Sequence, residues 1–440
     1  MNLTIHRGSK EIGGSCVEIS TGKTRIIIDF GMPLVEKDGS EFNFKNYKDN
    51  SVEELVSKKV LPYIKGLYDL STDTPPDALL ISHPHVDHYG FTHFINKSIL
   101  VYLGEATKKI IDLTATFTSQ PFKISNFKCF EKQNPFVIGD ITITPYYNDH
   151  SAFDSYGFLI EGEGKRIYYS GDFRSHGWDS DVFNSFLKNP PSDIDCLLME
   201  GTTMSRYAGK DKTEKEIQIE LENYFKEDKI NLIYSSGQNI DRIISVYEAC
   251  IASGKTLIID FYIANVLKII SAYGDVPHPD QKNPNIKVIF PYRLSKKMVN
   301  EGYVQLLYDF KSYKITKPEI DENPWKYVLF ARPSMKLDLV YLKNINGGNL
   351  IYSLWKGYLK KKDTKDFIDY LKSRMFDVHE IHTSGHADVD TLKAMVGAIK
   401  PKLLIPIHTF EPDKYKSTFN VPVKELEDGN TFNIKLYFKI

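Results

Sequence analysis

Three histidines and an aspartate crowd the stretch "SHPHVDHYG", as His83, His85, Asp87 and His88, directly behind the apolar run "ALLIS" (78–82). A turn after a buried strand lets side chains at i, i+2, i+4 and i+5 converge, whereas a continuing strand would send i and i+5 to opposite faces. Imidazole nitrogen and carboxylate oxygen together suit a borderline divalent cation, zinc or, with more carboxylates, manganese. Downstream, His150, Asp172 and His408 each follow a strand-like run, in "ITITPYYNDH", "RIYYSGD" and "LLIPIH". One sheet edge would gather all of them into a single site.

The elements that must position these residues change texture along the chain. Residues 1–205 alternate β-rich runs (25–30, 78–82, 99–103, 136–147, 156–172, 194–200) with helical candidates at 51–59 and 105–114, and a helix is expected to start near His88. Gly162 and Gly164 mark a hairpin tip. From 206 to 370 the order becomes helix (213–228), strand (230–236), helix (239–254), strand (256–260), a Pro- and Asn-rich loop (273–287), and strands at 327–331 and 349–353. Strand–helix–strand order is that of a parallel α/β unit. Residues 371–440 return to the first texture, with a helix at 388–400. The expectation is an α/β sheet-and-helix sandwich interrupted by an inserted α/β domain.

Of the 440 residues, 42% are hydrophobic, which is ample for a large core. The N-terminus has no apolar core of a secretory signal, and the segment 256–270 is too short and too often interrupted to span a bilayer. Cys16, Cys129, Cys196 and Cys250 form no CxxC pair, so reduced thiols and a cytoplasmic, membrane-free protein are expected. A net charge of −1 means that any nucleic acid must be met by a local patch.

The ordered set Asp29, His83-x-His85-x-Asp87-His88, His150 and Asp172 resembles motifs one to four of the metallo-β-lactamase fold. "LLMEGTT" with Glu200, "TSGHAD" with His386 and "IPIHTF" with His408 resemble motifs A, B and C of its β-CASP nucleases. "RGSKEIGGSC" and "SSGQNIDRI" look like the ribonuclease J type. The resemblance covers nearly the whole chain. It implies an αββα metal domain carrying an inserted α/β cap, and two divalent ions, zinc or alternatively manganese. His83, His85 and His150 would hold one ion, and Asp87, His88 and His408 the other, with Asp172 bridging. Asp29 would orient the site without touching metal.

Two ions roughly 3.5–4 Å apart can share a hydroxide whose parent water ionises near neutral pH, and that hydroxide can attack phosphorus in line. His386, held by Glu200, would protonate the leaving oxygen. Asp172, Asp87, Glu200 and His386 are therefore the residues expected to act in catalysis. Phosphate contacts are expected at Ser384, Gly385 and Ser236, and further ones from Lys296, Lys297 or the run "KGYLKKKDTKDF" (356–367), where Tyr358 could stack on a base. A histidine in motif C accompanies RNA-processing members, so the implied substrate is single-stranded RNA. A DNA nuclease of the same fold and a small-substrate metallo-hydrolase remain the alternatives. Ribonuclease J proteins usually continue into a further C-terminal domain that helps them dimerise, whereas this sequence stops about 30 residues past His408, so a homodimer or a larger complex is left open.

Overall fold

The computed structural model describes residues 1–36, 39–69, 73–205 and 209–438. They form two compact units, one of Met1–Ser175, Asp179–Lys210 and Gly385–Ile440, the other of His176–Trp178 and Asp211–Ser384.

The first unit is built on two sheets. Its strands are β1 (Asn2–Arg7), β2 (Cys16–Ser20), β3 (Arg25–Ile28), β4 (Ala78–Leu80), β5 (Leu100–Leu103), β6 (Phe127–Cys129), β7 (Phe136–Ile138), β8 (Ile141–Asn148), β9 (Ser155–Gly162), β10 (Lys165–Tyr169) and β11 (Cys196–Glu200). The second unit contributes β12 (Asn231–Tyr234), β13 (Thr256–Asp260), β14 (Ile286–Ile289), β15 (Tyr327–Phe330), β16 (Gly348–Tyr352) and β17 (Phe376–Glu380). After the chain re-enters the first unit come β18 (Leu403–Ile407) and β19 (Thr431–Asn433). The sheets run β19-β1-β2-β3-β4-β5-β6 and β18-β11-β10-β9-β8-β7.

Side-chain alternation explains the layering. Ile26, Ile28, Leu80, Leu198 and Ile405 point into one core shared by the two sheets. Their neighbours Ile27 and Leu79 face a second core that includes Ile111, on the helix Glu105–Thr118. Leu197 and Leu404 face a third, with Phe183 from the helix Ser180–Lys188 and Leu392 from the helix Val389–Ile399. Helix, sheet, sheet, helix is the expected sandwich. The single run foreseen at 136–147 is two strands, because Gly139 (φ +57°) turns the chain back.

The second unit is a six-stranded, all-parallel sheet, β14-β13-β15-β12-β16-β17. The apolar stretch 256–270 is β13 followed by the helix Phe261–Ile270, with the Asp260 side chain accepting from Ile263 N–H as its cap. In this division the chain returns to the first unit at Gly385, not at residue 371: the helix Lys362–Ser373 and β17 stay with the second unit because β17 pairs in parallel with β16. Departure likewise comes after Lys210, not at 205/206. His176–Trp178 also belongs there: Glu214 N–H donates to His176 O at 2.9 Å, and Trp178 Nε1 to Ser245 Oγ at 3.0 Å. No described helix is long and apolar enough to cross a membrane.

Candidate metal centre

The first unit's site residues sit just beyond the carboxyl ends of its strands. Asp29 follows β3, the His83 loop β4, His150 β8, Asp172 β10 and His408 β18, while Glu200 ends β11. Loops at that edge are unconstrained by the ladder and converge there. The helix after the His83 loop spans Val86–Tyr89, so it begins two residues earlier than expected, with His85 at its N-cap. Phe30 N–H donates to His88 O at 2.8 Å and Met32 N–H to Val86 O at 3.1 Å, docking that short helix on the segment after β3.

Asp29 is fully buried and adopts a left-handed φ of +57°. That turn aims its carboxylate at four donors. Oδ1 accepts from Ser82 N–H at 2.7 Å; Oδ2 accepts from Ser82 Oγ at 2.8 Å, His88 Nδ1 at 2.8 Å and Tyr169 OH at 2.9 Å. Because a carboxylate only accepts, His88 carries a proton on Nδ1, which leaves Nε2 as the atom a metal ion would take. Ser82 Oγ, its own proton spent on Asp29, lies 3.0 Å from His83 Nδ1 and fixes the same tautomer there.

The consequence is a set of buried atoms with nowhere to bond. His83 Nε2, His88 Nε2, His150 Nδ1 and both Asp172 carboxylate oxygens make no hydrogen bond to any described residue. Unpaired buried polar atoms are costly, and several around one space fit a cation that completes them. Donor atoms of His83, His85 and His150 lie within 4.8 Å of one another, as do those of Asp87, His88 and His408, and those of His83, His88 and Asp172. His85 Nδ1 is 3.3 Å from His150 Nε2, and His408 Nε2 is 3.4 Å from Asp87 Oδ2. Tetrahedral ligation with bonds of about 2.0 Å separates ligand atoms by about 3.3 Å, so the donor set fits a metal ion in each cluster. Asp172 Oδ2 approaches His88 Nε2 at 3.2 Å and His83 Nε2 at 3.7 Å, between the two clusters.

Charge within the site is balanced by these same groups. Burial holds His85 down at about 4, and burial pushes His83 and His150 well below the ordinary imidazole value, leaving neutral rings with lone pairs to share. Burial opposes ionisation of Asp87 and Asp172, but neighbouring imidazoles win: His88 and then His408 bring Asp87 to about 2, and His408 and His88 hold Asp172 far below the carboxylate range. His408 is arranged differently. Its Nε2 accepts from Gly13 N–H at 3.0 Å and its Nδ1 is 2.9 Å from Thr202 Oγ1. Burial opposes charge on this ring, but Asp172 and Asp87 outweigh it and raise the ring above the ordinary imidazole value.

Beside the clusters stands an acid–imidazole pair. His386 Nδ1 is 3.2 Å from both oxygens of Glu200, and its side chain keeps 20% of its surface exposed. Glu200 is itself buried and accepts from Phe173 N–H at 3.1 Å and Thr202 N–H at 3.2 Å. Gly385 brings His386 close: a Cβ at 385 would stand 2.5 Å from Ser151 Oγ, so a larger residue would have to displace the Ser151 side chain on the His150 loop.

Residues 62–215 match the family described as "Beta-lactamase superfamily domain", and residues 372–416 match "Zn-dependent metallo-hydrolase RNA specificity domain". The first match contains His83, His85, Asp87, His88, His150, Asp172 and Glu200, and the second His386 and His408. These matches bear out the resemblance to metallo-β-lactamase-fold proteins of the β-CASP, ribonuclease J-like type. It is 24% identical over 432 residues to "Ribonuclease J" of Helicobacter pylori (strain B128), covering 93% of this chain and 56% of that one. It is 26% identical over 289 residues to an "RNase J-like protein" of Methanocaldococcus jannaschii, covering 62% of this chain and 58% of the relative. This chain thus spans little more than half the length of these relatives. A solved structure of a protein of unknown function from Enterococcus faecalis V583 superposes with a TM-score of 0.78 at 19% identity, over 98% of this chain and 99% of that one, which shows a shared fold.

In this chain the ten residues expected at the centre (Asp29, His83, His85, Asp87, His88, His150, Asp172, Glu200, His386 and His408) all lie in the first unit, together with Gly385. Ser236 and Ser384 belong to the second unit. Ser236 Oγ accepts from Gln238 N–H at 3.2 Å, and Ser384 is buried with its carbonyl 2.8 Å from His176 Nε2. Sequence reasoning missed Ser82, Tyr169 and Thr202, which hold Asp29 and His408. It also missed the buried pair of Arg174 and Asp149, Nε to Oδ1 at 3.1 Å, which staples the Asp172 loop to the His150 loop. Each of these is one or two positions from a ligand or on an adjoining strand, but a lone Ser, Tyr or Arg carries no spacing signal.

Proposed function

We propose that this chain is a ribonuclease that hydrolyses phosphodiester bonds of single-stranded RNA with two divalent ions, zinc or manganese. The observation that carries this is the pair of donor clusters flanking Asp172, with an acid–imidazole pair beside them. His83, His85 and His150 would hold one ion; Asp87, His88 and His408 would hold the other, with Asp172 shared. Bound there, the ions would supply Lewis acidity, activating water and balancing charge on the phosphoryl oxygens.

The chain's own residues do the rest. Asp29, Ser82 and Tyr169 fix the His83 and His88 rings so that ligand atoms are placed before an ion arrives. Glu200 can only accept a hydrogen bond as a carboxylate, so it orients the His386 ring with Nδ1–H toward itself and leaves Nε2 to carry the transferable proton. The partly exposed ring can reach a substrate and deliver that proton to the leaving 3′ oxygen. The match to an RNA specificity domain over 372–416, which includes both His386 and His408, favours RNA over DNA. Such an enzyme would act in the cytoplasm.

The test is digestion of single-stranded RNA labelled at its 5′ end by wild type and His386→Ala, in zinc or manganese, with matched DNA as competitor. Wild type should cleave RNA, and His386→Ala should keep its metal content while losing about 10²–10⁴-fold in turnover. Full activity in that variant would remove His386 as the acid, and DNA competing as well as RNA would convert the reading to a general nuclease. The first labelled product separates release of mononucleotides from internal cutting.

A further inference from the structure

We infer that the second unit carries a stacking platform for single-stranded RNA, built from Trp355, Tyr358 and the lysines that follow them; the inference rests on the ribonuclease reading.

The platform begins where β16 ends at Tyr352. Tyr352 OH donates to Trp355 O at 3.1 Å and Tyr358 N–H donates to the same carbonyl at 3.0 Å, so the backbone at Trp355 is fixed from both sides. The short 3-10 helix Lys356–Lys360 follows. Trp355 leaves 47% of its surface in solvent. Its six-membered ring lies against Gly357, where a Cβ would come within 2.1 Å of Cζ3. The glycine backbone thus supports the indole and leaves the rest of it open. Tyr358 stands nearly perpendicular to it, ring centres 5.5 Å apart at 85°, and Lys361 Nζ lies 4.1 Å above the Tyr358 ring.

Cations surround this pair. Lys360, Lys362 and Lys365 are exposed, and among the described residues none forms an ion pair with them. Lys356 is also exposed and pairs with Glu380 at 2.6 Å. Lys361 is the N-cap of the helix Lys362–Ser373 and makes no side-chain capping bond; Lys362 is its first residue, and only Asp363 supplies an acid in the first turn. A helix N-terminus favours anions and caps of Ser, Thr, Asp or Asn, so lysines there weaken the helix. Asp366 is the other acidic residue in the run. A supported, half-open indole next to a tyrosine and a row of lysines is what sequence-tolerant single-strand binders use: π-faces for bases, cations for the backbone.

The experiment compares wild type with K360E/K362E/K365E and with Trp355→Phe and Trp355→Ala, measuring kcat and KM on a long single-stranded RNA and on a trinucleotide. Charge reversal improves the helix electrostatics at 362 and 365, so the triple variant should fold, which circular dichroism checks. For the long RNA the expected result is a KM raised about tenfold with kcat unchanged. The slope of log KM against log salt should be shallower by about two, since each phosphate contact on a single strand contributes about 0.7. A trinucleotide has only two phosphodiesters, too few to engage three lysines while one of them is cleaved, so its KM should show little change. Phosphorothioate RNA should quench indole emission in wild type and lose that component in Trp355→Phe, a signature that a merely structural tryptophan would not give. An unchanged long-RNA KM in the triple variant and Trp355→Ala, with unchanged quenching, overturns the platform while leaving the ribonuclease standing. Wild type that neither cleaves nor binds RNA of either length overturns the ribonuclease reading itself.

Discussion

Asp29 is the residue on which the metal centre's order depends, although it supplies no ligand atom in the proposed scheme. Its left-handed backbone costs on the order of 1 kcal/mol, a strain tolerated because the resulting carboxylate collects four hydrogen bonds. Removing it frees the His88 ring to rotate and to change tautomer, and leaves Ser82 and Tyr169 donors unpaired. Asp29→Ala should therefore weaken metal affinity by about 10–100-fold. Competition with a chromophoric chelator reads this directly, and activity should return at high metal concentration. Affinity equal to wild type would show that the second hydrogen-bonding layer does not order the site.

At the scale of elements, the ligand turn works because the four-residue helix Val86–Tyr89 is pressed onto the segment after β3. Gly31 makes that contact possible: a Cβ there would lie 1.6 Å from Asp87 O, backbone against backbone, with no side-chain rotation to relieve it. Gly31→Ala must push the helix away, and with it Asp87 and His88. The expected cost is above about 3 kcal/mol, the range of severe backbone or packing lesions, read as a large fall in Tm together with lost metal binding. A variant that melts like wild type and binds metal normally would show that the helix can shift without consequence. The Gly385 approach to Ser151 is less strict, since the nearest atom a Cβ would meet there is a side-chain hydroxyl that can rotate.

For the whole molecule, the division into two units with separate cores predicts separate responses to metal. The ten centre residues lie in the first unit, whereas Trp178, Trp325 and Trp355, the chain's three tryptophans, all lie in the second. Metal stabilises what binds it by mass action, by about 4 kcal/mol at a thousandfold excess over Kd. Chelation should lower the thermal transition seen by far-ultraviolet circular dichroism and leave the tryptophan-fluorescence transition in place. Equal shifts in both would mean that the two units unfold as one.

The candidate ligands, the layered sandwich and the interruption by a parallel α/β unit were legible in the chain alone, because motif spacing and strand alternation are local patterns that need no partner to be read. Tertiary structure alone decided which other side chains serve that set. Ser82 lies beside a ligand, and Tyr169 and Thr202 lie on or after strands of the other sheet, and only packing brings their hydroxyls to Asp29 and His408. The same holds for the return at Gly385, which the pairing of β17 with β16 sets through hydrogen bonds between segments distant in sequence. A pattern within one segment can announce a metal ligand; the atoms that hold the ligand still are fixed only where strands from different parts of the chain meet.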